Sequence, residues 1–369
     1  MKILVTGSSG FVGKNLVAEL KNKGYNEIFE FNKETDKSLL DQYTKDCDFV
    51  FHLAGANRPK DEKEFMSDNF EFTSELLNLL KKNNNKSPVL ITSSIQAEIN
   101  NPYGLSKKAA EDLLFDYGNK NKVNVYVYRL PNLFGKWSKA NYNTVVATYC
   151  YNIARNLDIQ ISDPLVELKF CYIDDVLDEF LRALNDNPTK ELQFCIVPII
   201  YKIKLGDLAN RINKFKDSRK DLSIPDMNDE LTKKLYSTYL SFLPEDGFSY
   251  DLKMNIDDRG SFTEFVKTFG QGQFSVNISK PGITKGNHWH HTKNEKFLVV
   301  NGEGIIKFRK INENTVLEYK VSDKKLQVID IPVGYTHSIV NTGKIDLVTI
   351  IWVNESFDIK KPDTFSMEV

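Results

Sequence analysis

Tyr103 and Lys107 stand one helical turn apart in Tyr103-Gly104-Leu105-Ser106-Lys107. Residues four apart share a helix face, so the ammonium is brought to the neighbourhood of the phenol. A cation there is expected to lower the phenol from its usual pKa of about 10 toward working pH, giving a usable proton donor or acceptor. Nine residues before the tyrosine, Thr92-Ser93-Ser94 closes a β-branched run, and a serine hydroxyl there can hold a carbonyl oxygen. A second set lies far downstream. Four of the five histidines (His288, His290, His291, His337) fall in the last quarter of the chain. On a strand, His288 and His290 project to one side while His291 points away. Glu295 and His337 complete a set of three imidazoles and one carboxylate, which suits zinc, iron, manganese or nickel. Ligand type does not choose among them, and a divalent metal such as zinc is the expectation.

A third feature opens the chain. Thr6-Gly7-Ser8-Ser9-Gly10-Phe11-Val12-Gly13 follows an apolar run and begins a helical one. One glycine makes the turn, one admits a pyrophosphate to the backbone, and one packs helix on strand, while the helix N-terminus attracts the anion. Sites that prefer NAD carry an acid at the end of the second strand. Here Phe29-Glu30-Phe31-Asn32-Lys33 places Phe31 at that position, and Lys33 within reach favours NADP.

These residues need a scaffold, and the pattern supplies one. Ile3–Thr6, Glu27–Phe31, Phe49–Leu53, Val89–Thr92 and Val125–Tyr128 read as buried parallel strands. Val12–Lys23, Lys63–Asn83 and Gly104–Asn121 between them have helical spacing. The alternation predicts an α/β doubly wound parallel sheet of Rossmann type. Leu205–Leu243 is still helical in character, and beyond Pro244-Glu245-Asp246-Gly247 the pattern becomes short alternating strands, an all-β barrel or sandwich. Two domains are therefore expected, 1–245 and 251–369.

Composition agrees with an ordinary globular chain: 369 residues, 41% hydrophobic, 27% charged, formal charge −1. No global basic field exists for nucleic acid, and no apolar run approaches the roughly 18 residues of a membrane span. Cys47, Cys150, Cys171 and Cys195 lie far apart, so disulfide and zinc-ribbon readings lack support and reduced thiols in the cytoplasm are expected.

Over residues 1–240 the chain resembles the extended short-chain dehydrogenase/reductase family. The resemblance rests on the glycine motif, His52-Leu53-Ala54-Gly55, Ser94, Tyr103, Lys107, the Arg129–Gly135 stretch and Tyr172-Ile173-Asp174-Asp175-Val176. It implies that Ser94 and Tyr103 polarise a carbonyl, that Lys107 tunes Tyr103, that Leu53, Ala54 and Gly55 line the cofactor and that Asn132 lines a nucleotide-sugar site. Ile95-Gln96 replaces the acidic pair of the sugar dehydratases, which leaves a reductase or an epimerase. Arg58 is a candidate for the diphosphate or sugar, or a plain surface arginine; Lys136 and Arg155 have the same standing.

Gly282-x5-His288-x-His290-x4-Glu295-x6-Gly302 and Pro332-x-Gly334-x2-His337-x3-Asn341 resemble the two cupin motifs, with Leu326 where the second usually begins with glycine. Asp257–Glu264 resembles the entry segment of cupin sugar epimerases. Together the halves are similar to a narrow group of bifunctional capsular polysaccharide enzymes. That similarity implies a cupin that inverts carbon 3 of a UDP-linked 4-keto-6-deoxy-N-acetylhexosamine and a domain that reduces the 4-ketone with NADPH. It also implies a homodimer. Tyr335, His291 and Lys296 are candidate epimerisation bases. Two alternatives stay open: a metal-braced β module used only for binding or dimerisation, and a 4-epimerase retaining NAD.

Overall fold

A computed structural model describes residues 1–369 except 59, 60, 143, 269, 357 and 359. The chain divides into two compact units, Met1–Asn213 with Lys234–Pro244, and Lys214–Lys233 with Glu245–Val369.

The first unit is built on a seven-stranded sheet. Across it run Glu27–Phe31, Lys2–Thr6, Phe49–His52, Val89–Ser94, Val125–Leu130, Phe194–Cys195 and Lys190–Glu191. The first six are parallel, and the last turns back against its neighbour. Continuous apolar strands are required because both faces are covered. Ile3, Val5, Phe51, Tyr126 and Tyr128 enter one core with Leu16, Val176 and Phe180. Leu4, Val50 and Val127 enter the other with Leu76, Leu80 and Leu114. The carboxyl ends of the strands therefore share one edge, with Thr6 beside His52 and Ser94 beside Leu130.

The helical run Lys63–Asn83 is not uniform. Lys63–Met66 and Phe72–Lys82 are α-helical, and Ser67–Glu71 between them is a π-helical turn that buries Asn69. Its carboxamide accepts from Ala56 N–H at 3.1 Å and donates to Ser106 Oγ at 3.0 Å, which repays the wider turn.

The second unit is strand-rich. One sheet orders Ser223–Ile224, Gly260–Thr268, Gly272–Ser279, Leu347–Val353, Glu295–Asn301 and Val328–Ile331, with Asn255–Asp257 paired to Gly260–Thr268. The other orders Val316–Ser322, Glu303–Lys310, Tyr335–Asn341, Thr284–Trp289 and Phe365–Ser366. Phe297, Val299, Ile306, Phe308, Ile339 and Leu347 form its core. Among the described residues these remain two sheets, with no ladder closing them into a barrel. Residues 214–233 group with this unit although the sequence assigned them to the first domain. The reason is a two-residue parallel strand, too short to show as a period, in which Ser223 and Ile224 pair with Lys267 and Thr268.

Candidate active sites

The first site grows out of the strand ends. After Lys2–Thr6 the chain turns through Gly7, at φ +69°, and Gly10 begins the Phe11–Asn22 helix. Among the described residues no side chain bonds the cap and no acid occupies the first turn, so the amides and positive helix end of Gly10–Gly13 are available to an anion. A Cβ at Gly13 would lie 2.2 Å from Gly7 O, so this packing requires glycine. Ser8 Oγ is buried in the turn without a partner, while Ser9 is exposed and Phe11 and Val12 are half-buried. Leu53, Ala54 and Gly55 run alongside: Leu53 N–H donates to Thr6 O, and a Cβ at Gly7 would meet Ala54 N at 2.7 Å. This glycine-lined turn with its orphan hydroxyl fits a dinucleotide pyrophosphate. Asn32 and Lys33 follow Phe31, which pairs with Thr6; the exposed Lys33 ammonium meets Asp68 at 3.2 Å.

Tyr103 opens the Pro102–Asn121 helix, which Asn101 caps by accepting from Gly104 N–H at 2.7 Å. A side chain at Gly104 would strike Gln96 O and Ile99 O, both 2.3 Å from its Cβ. Glycine there lets the helix start lie against the Ile95–Glu98 turn, and so sets Tyr103 beside Ser94. One turn on, the buried Lys107 ammonium donates to Thr92 O at 3.2 Å and lies 6.0 Å from the Tyr103 ring centre. Burial raises the Tyr103 phenol, and the Ser94 hydroxyl pulls it partly back. This corrects the expectation of a phenol lowered by its cation: burial dominates, and Tyr103 is protonated at neutral pH. The phenol thus has a proton to give. Burial also pulls the Lys107 ammonium from its usual 10.5 to about 8, opposed by Glu111. Glu111 is itself fully buried, holding Arg129 by two bonds at 2.8 and 2.6 Å and accepting from Ser93 at 2.6 Å. His52 bridges the Thr6 and Thr73 hydroxyls at 2.8 and 2.9 Å, and burial holds it neutral, near 3.

The remaining candidates of this unit make contacts of their own. Asn132 is exposed and donates to Lys169 O at 3.2 Å, and Arg58 is exposed on its loop. Lys136 pairs with Asp174 at 2.6 Å, and Arg155 donates to Phe242 O at 2.8 Å while stacking on Tyr151.

In the second unit, register brings together ligand types scattered over fifty residues. His288 pairs directly with His337 across the Thr284–Trp289 and Tyr335–Asn341 strands, after a bulge at Asn287. His290 follows on the same side, and Glu295 begins the next strand. One potential ligand atom from each of His288, His290, Glu295 and His337 lies within 4.8 Å of the others. Glu295 Oε2 approaches His337 Nε2 at 3.2 Å and His290 Nε2 at 3.7 Å, yet all three atoms are buried without a hydrogen bond. Converging buried donors left unsatisfied fit a cation that would satisfy them together. Burial alone would raise Glu295; the facing imidazoles outweigh it and hold the carboxyl near 2. Burial lowers His288 to about 4, leaving a neutral, ligand-competent ring.

His291 points away and packs on Trp289 and Phe365. Lys296, one residue past Glu295, takes the opposite face and pairs with Asp330. Tyr335, two residues before His337, shares the ligand face.

Residues 3–194 match the NAD dependent epimerase/dehydratase family, and residues 255–365 match the polysaccharide biosynthesis C-terminal domain. The chain belongs to the NAD dependent epimerase/dehydratase family. This epimerase/dehydratase chain is 45% identical to a UDP-2-acetamido-2,6-beta-L-arabino-hexul-4-ose reductase of Pseudomonas aeruginosa, over all of its own length and 99% of that protein. It superimposes on the capsular polysaccharide assembling protein CapF from Staphylococcus aureus with a TM-score of 0.95 and 53% identity, covering both chains fully. A structure of CapF with the inhibitor 3-isopropenyl-tropolone matches at a TM-score of 0.90 and 49% identity, again over both whole chains.

Two features of this family member escaped the sequence. Asn69 gave only the weak signal of an amide inside an apolar helical run. The strand Gly272–Ser279 inverts the usual pattern: Gln273, Ser275, Asn277 and Ser279 are buried, while Phe274, Val276 and Ile278 are half-buried on the other face. Gln273 and Glu295 both pair with Val353, so the polar row shares the ligand face of the sheet. Gln273 Oε1 and Thr349 Oγ1 are buried there without partners.

The buried ammonium carries a stability cost. Its fall of 10.5 to about 8 corresponds to roughly 3 kcal/mol at neutral pH, and the bond to Thr92 returns about 1. Lys107→Met is therefore expected to raise unfolding stability by about 2 kcal/mol. The gap between variant and wild type is full below about pH 8 and closes as pH rises toward 10.5, where the unfolded lysine also deprotonates. Urea unfolding at pH 7 and pH 10 measures both.

Proposed function

We propose that the chain is a bifunctional nucleotide-sugar enzyme of capsular polysaccharide precursor synthesis. Its second unit inverts carbon 3 of a UDP-2-acetamido-2,6-dideoxy-4-hexulose. Its first unit reduces the 4-ketone with NADPH to UDP-N-acetyl-6-deoxy-L-talosamine. The observation that carries this reading is the presence of two chemically distinct centres in one polypeptide, a protonated Tyr103 beside Ser94 and Lys107, and a buried His288/His290/Glu295/His337 cluster. The full-length likeness to a UDP-hexulose reductase and to CapF supports the substrate class.

In the first unit the Gly7–Gly13 turn and Leu53–Gly55 hold the cofactor, and Lys33 suits the extra phosphate of NADPH. A reduced nicotinamide bound there would supply the hydride that carbon 4 needs. Ser94 orients the carbonyl oxygen, Tyr103 gives it the proton, and Lys107 stabilises the resulting phenolate. Asn132 and Arg58 are assigned to the nucleotide-sugar.

In the second unit, which we read as a cupin, the same ketone acidifies the proton on carbon 3. Removal of that proton leaves an enolate, and its return on the opposite face inverts the centre with no net oxidation. His288, His290, Glu295 and His337 would hold a divalent cation, zinc first among them, which would supply positive charge to stabilise an oxyanion. The tropolone inhibitor of a relative carries adjacent oxygens of the kind that chelate metals, which supports such a site. Tyr335, the one base candidate sharing the ligand face, is assigned to the proton, and Gln273, Ser275 and Thr349 offer hydrogen bonds to sugar hydroxyls.

The test uses the full chain. With ketosugar in deuterated water and no NADPH, deuterium enters carbon 3. Adding NADPH then removes absorbance at 340 nm in proportion to ketone consumed. Ketone reduction without deuterium exchange in metal-loaded protein leaves a reductase whose β unit only binds. Exchange of hydride with retained NAD and no net NADPH use supports the 4-epimerase instead.

A further inference from the structure

The structure assigns a positioning role to Asp363: the aspartate clamps the ligand turn and presets His290 in the tautomer that binds a metal. This rests on the reading of the four-residue cluster as a metal site. Residue 363 lies far along the chain from that turn, yet its polar atoms are devoted to it. Its carboxylate accepts three successive backbone N–H groups, those of His291 at 3.0 Å, Thr292 at 2.9 Å and Lys293 at 2.8 Å, together with the Thr292 hydroxyl at 3.2 Å. Its backbone carbonyl meets His290 Nδ1 at 2.6 Å. A carbonyl only accepts, so Nδ1 must carry the proton and Nε2 keeps its lone pair, directed at Glu295 and His337.

The neighbours of Asp363 extend the clamp. The buried Lys293 ammonium donates to Pro362 O. Phe365 and Ser366 pair with Trp289 and His288, and Met367 N–H donates to Asn287 O at 2.9 Å. The segment 362–367 thus straps the stretch 287–293, which carries two of the four ligands, His288 and His290. Asp363 takes a left-handed backbone, φ +37°, which turns its carbonyl toward His290 while the carboxylate faces the amides. Aspartate suits the position because its short side chain tolerates that conformation and carries the charge that three amides favour.

The experiment measures zinc affinity of the full chain by competition with a chromogenic chelator, and the visible spectrum of the cobalt-loaded protein. Asp363→Ala is expected to weaken zinc binding 10- to 100-fold and to change the cobalt ligand-field bands. Asp363→Asn, which keeps an amide oxygen for part of the clamp, falls between it and wild type and guards against a folding defect in the alanine variant. NADPH oxidation by the reductase unit stays within twofold of wild type in both. Wild-type affinity and an unchanged cobalt spectrum in Asp363→Ala would overturn the inference even if thermal stability drops, because a purely structural brace moves only stability. Failure of the underlying metal reading is separate: wild type then binds no stoichiometric zinc, or Glu295→Gln binds it equally well.

Discussion

Tyr103→Phe is expected to abolish ketone reduction, with a fall of roughly 10³-fold or more in turnover, and to leave deuterium exchange at carbon 3 untouched. The substitution removes one oxygen. The ring keeps its contact with Phe65, 5.6 Å between centres, so the helix start is held, and only the bond to the Ser94 hydroxyl goes with the oxygen. What is lost is the proton that must reach the ketone oxygen as hydride arrives. Because burial raises the phenol, the wild-type donor is protonated throughout the neutral range. The rate should instead fall above about pH 8, where Lys107 loses the charge that stabilises the phenolate. Stopped-flow absorbance at 340 nm across pH and mass spectrometry of the recovered sugar read the two activities separately. Loss of both activities in Tyr103→Phe would unite the two centres and defeat the proposed division of labour.

Glu295→Gln is expected to show the converse, with exchange at carbon 3 lost and reduction of a 4-ketone retained. Glutamine fills the same space but brings no negative charge to the facing imidazoles of His290 and His337. Groups outside the ligand shell typically govern 10- to 100-fold in affinity, so a direct ligand should cost at least about 100-fold in metal binding. Chelation makes the same point through stability. A metal at a thousand times its Kd stabilises the folded unit by about 4 kcal/mol, so wild type loses that increment on chelation and Glu295→Gln loses almost none. Differential scanning calorimetry with and without chelator, alongside metal analysis of the purified proteins, checks both statements. A Glu295→Gln protein that holds metal and exchanges deuterium normally would remove the carboxylate from the site.

Much of this was legible because it is local. The Gly7–Gly13 turn, the apolar strands and the Tyr103/Lys107 spacing depend on residues within a turn or two of one another. Their periodicity states which side of an element each residue occupies. Even there the electrostatics was not legible: the sequence puts a cation beside the phenol, whereas burial decides the direction in which Tyr103 shifts. The π-helical turn at Asn69 was equally hidden, since nothing in Lys63–Asn83 announces that Ala56 and Ser106 will wait to bond its amide.

The sequence by itself determined the order of an α/β unit and a β unit, the glycine turn and the residue types fit for proton transfer and metal binding. The tertiary structure decided which of those residues meet. His288 faces His337 because two strands pair in one register out of several, and Asp363 reaches His290 because a distant segment lies along that pair. Likewise only the packed sheet shows that Gln273, Ser275, Asn277 and Ser279 turn inward while Phe274, Val276 and Ile278 take the half-buried face. Strand register and burial are cooperative properties of the whole packed unit, fixed by the sum of many weak contacts, and no short window of residues contains that sum.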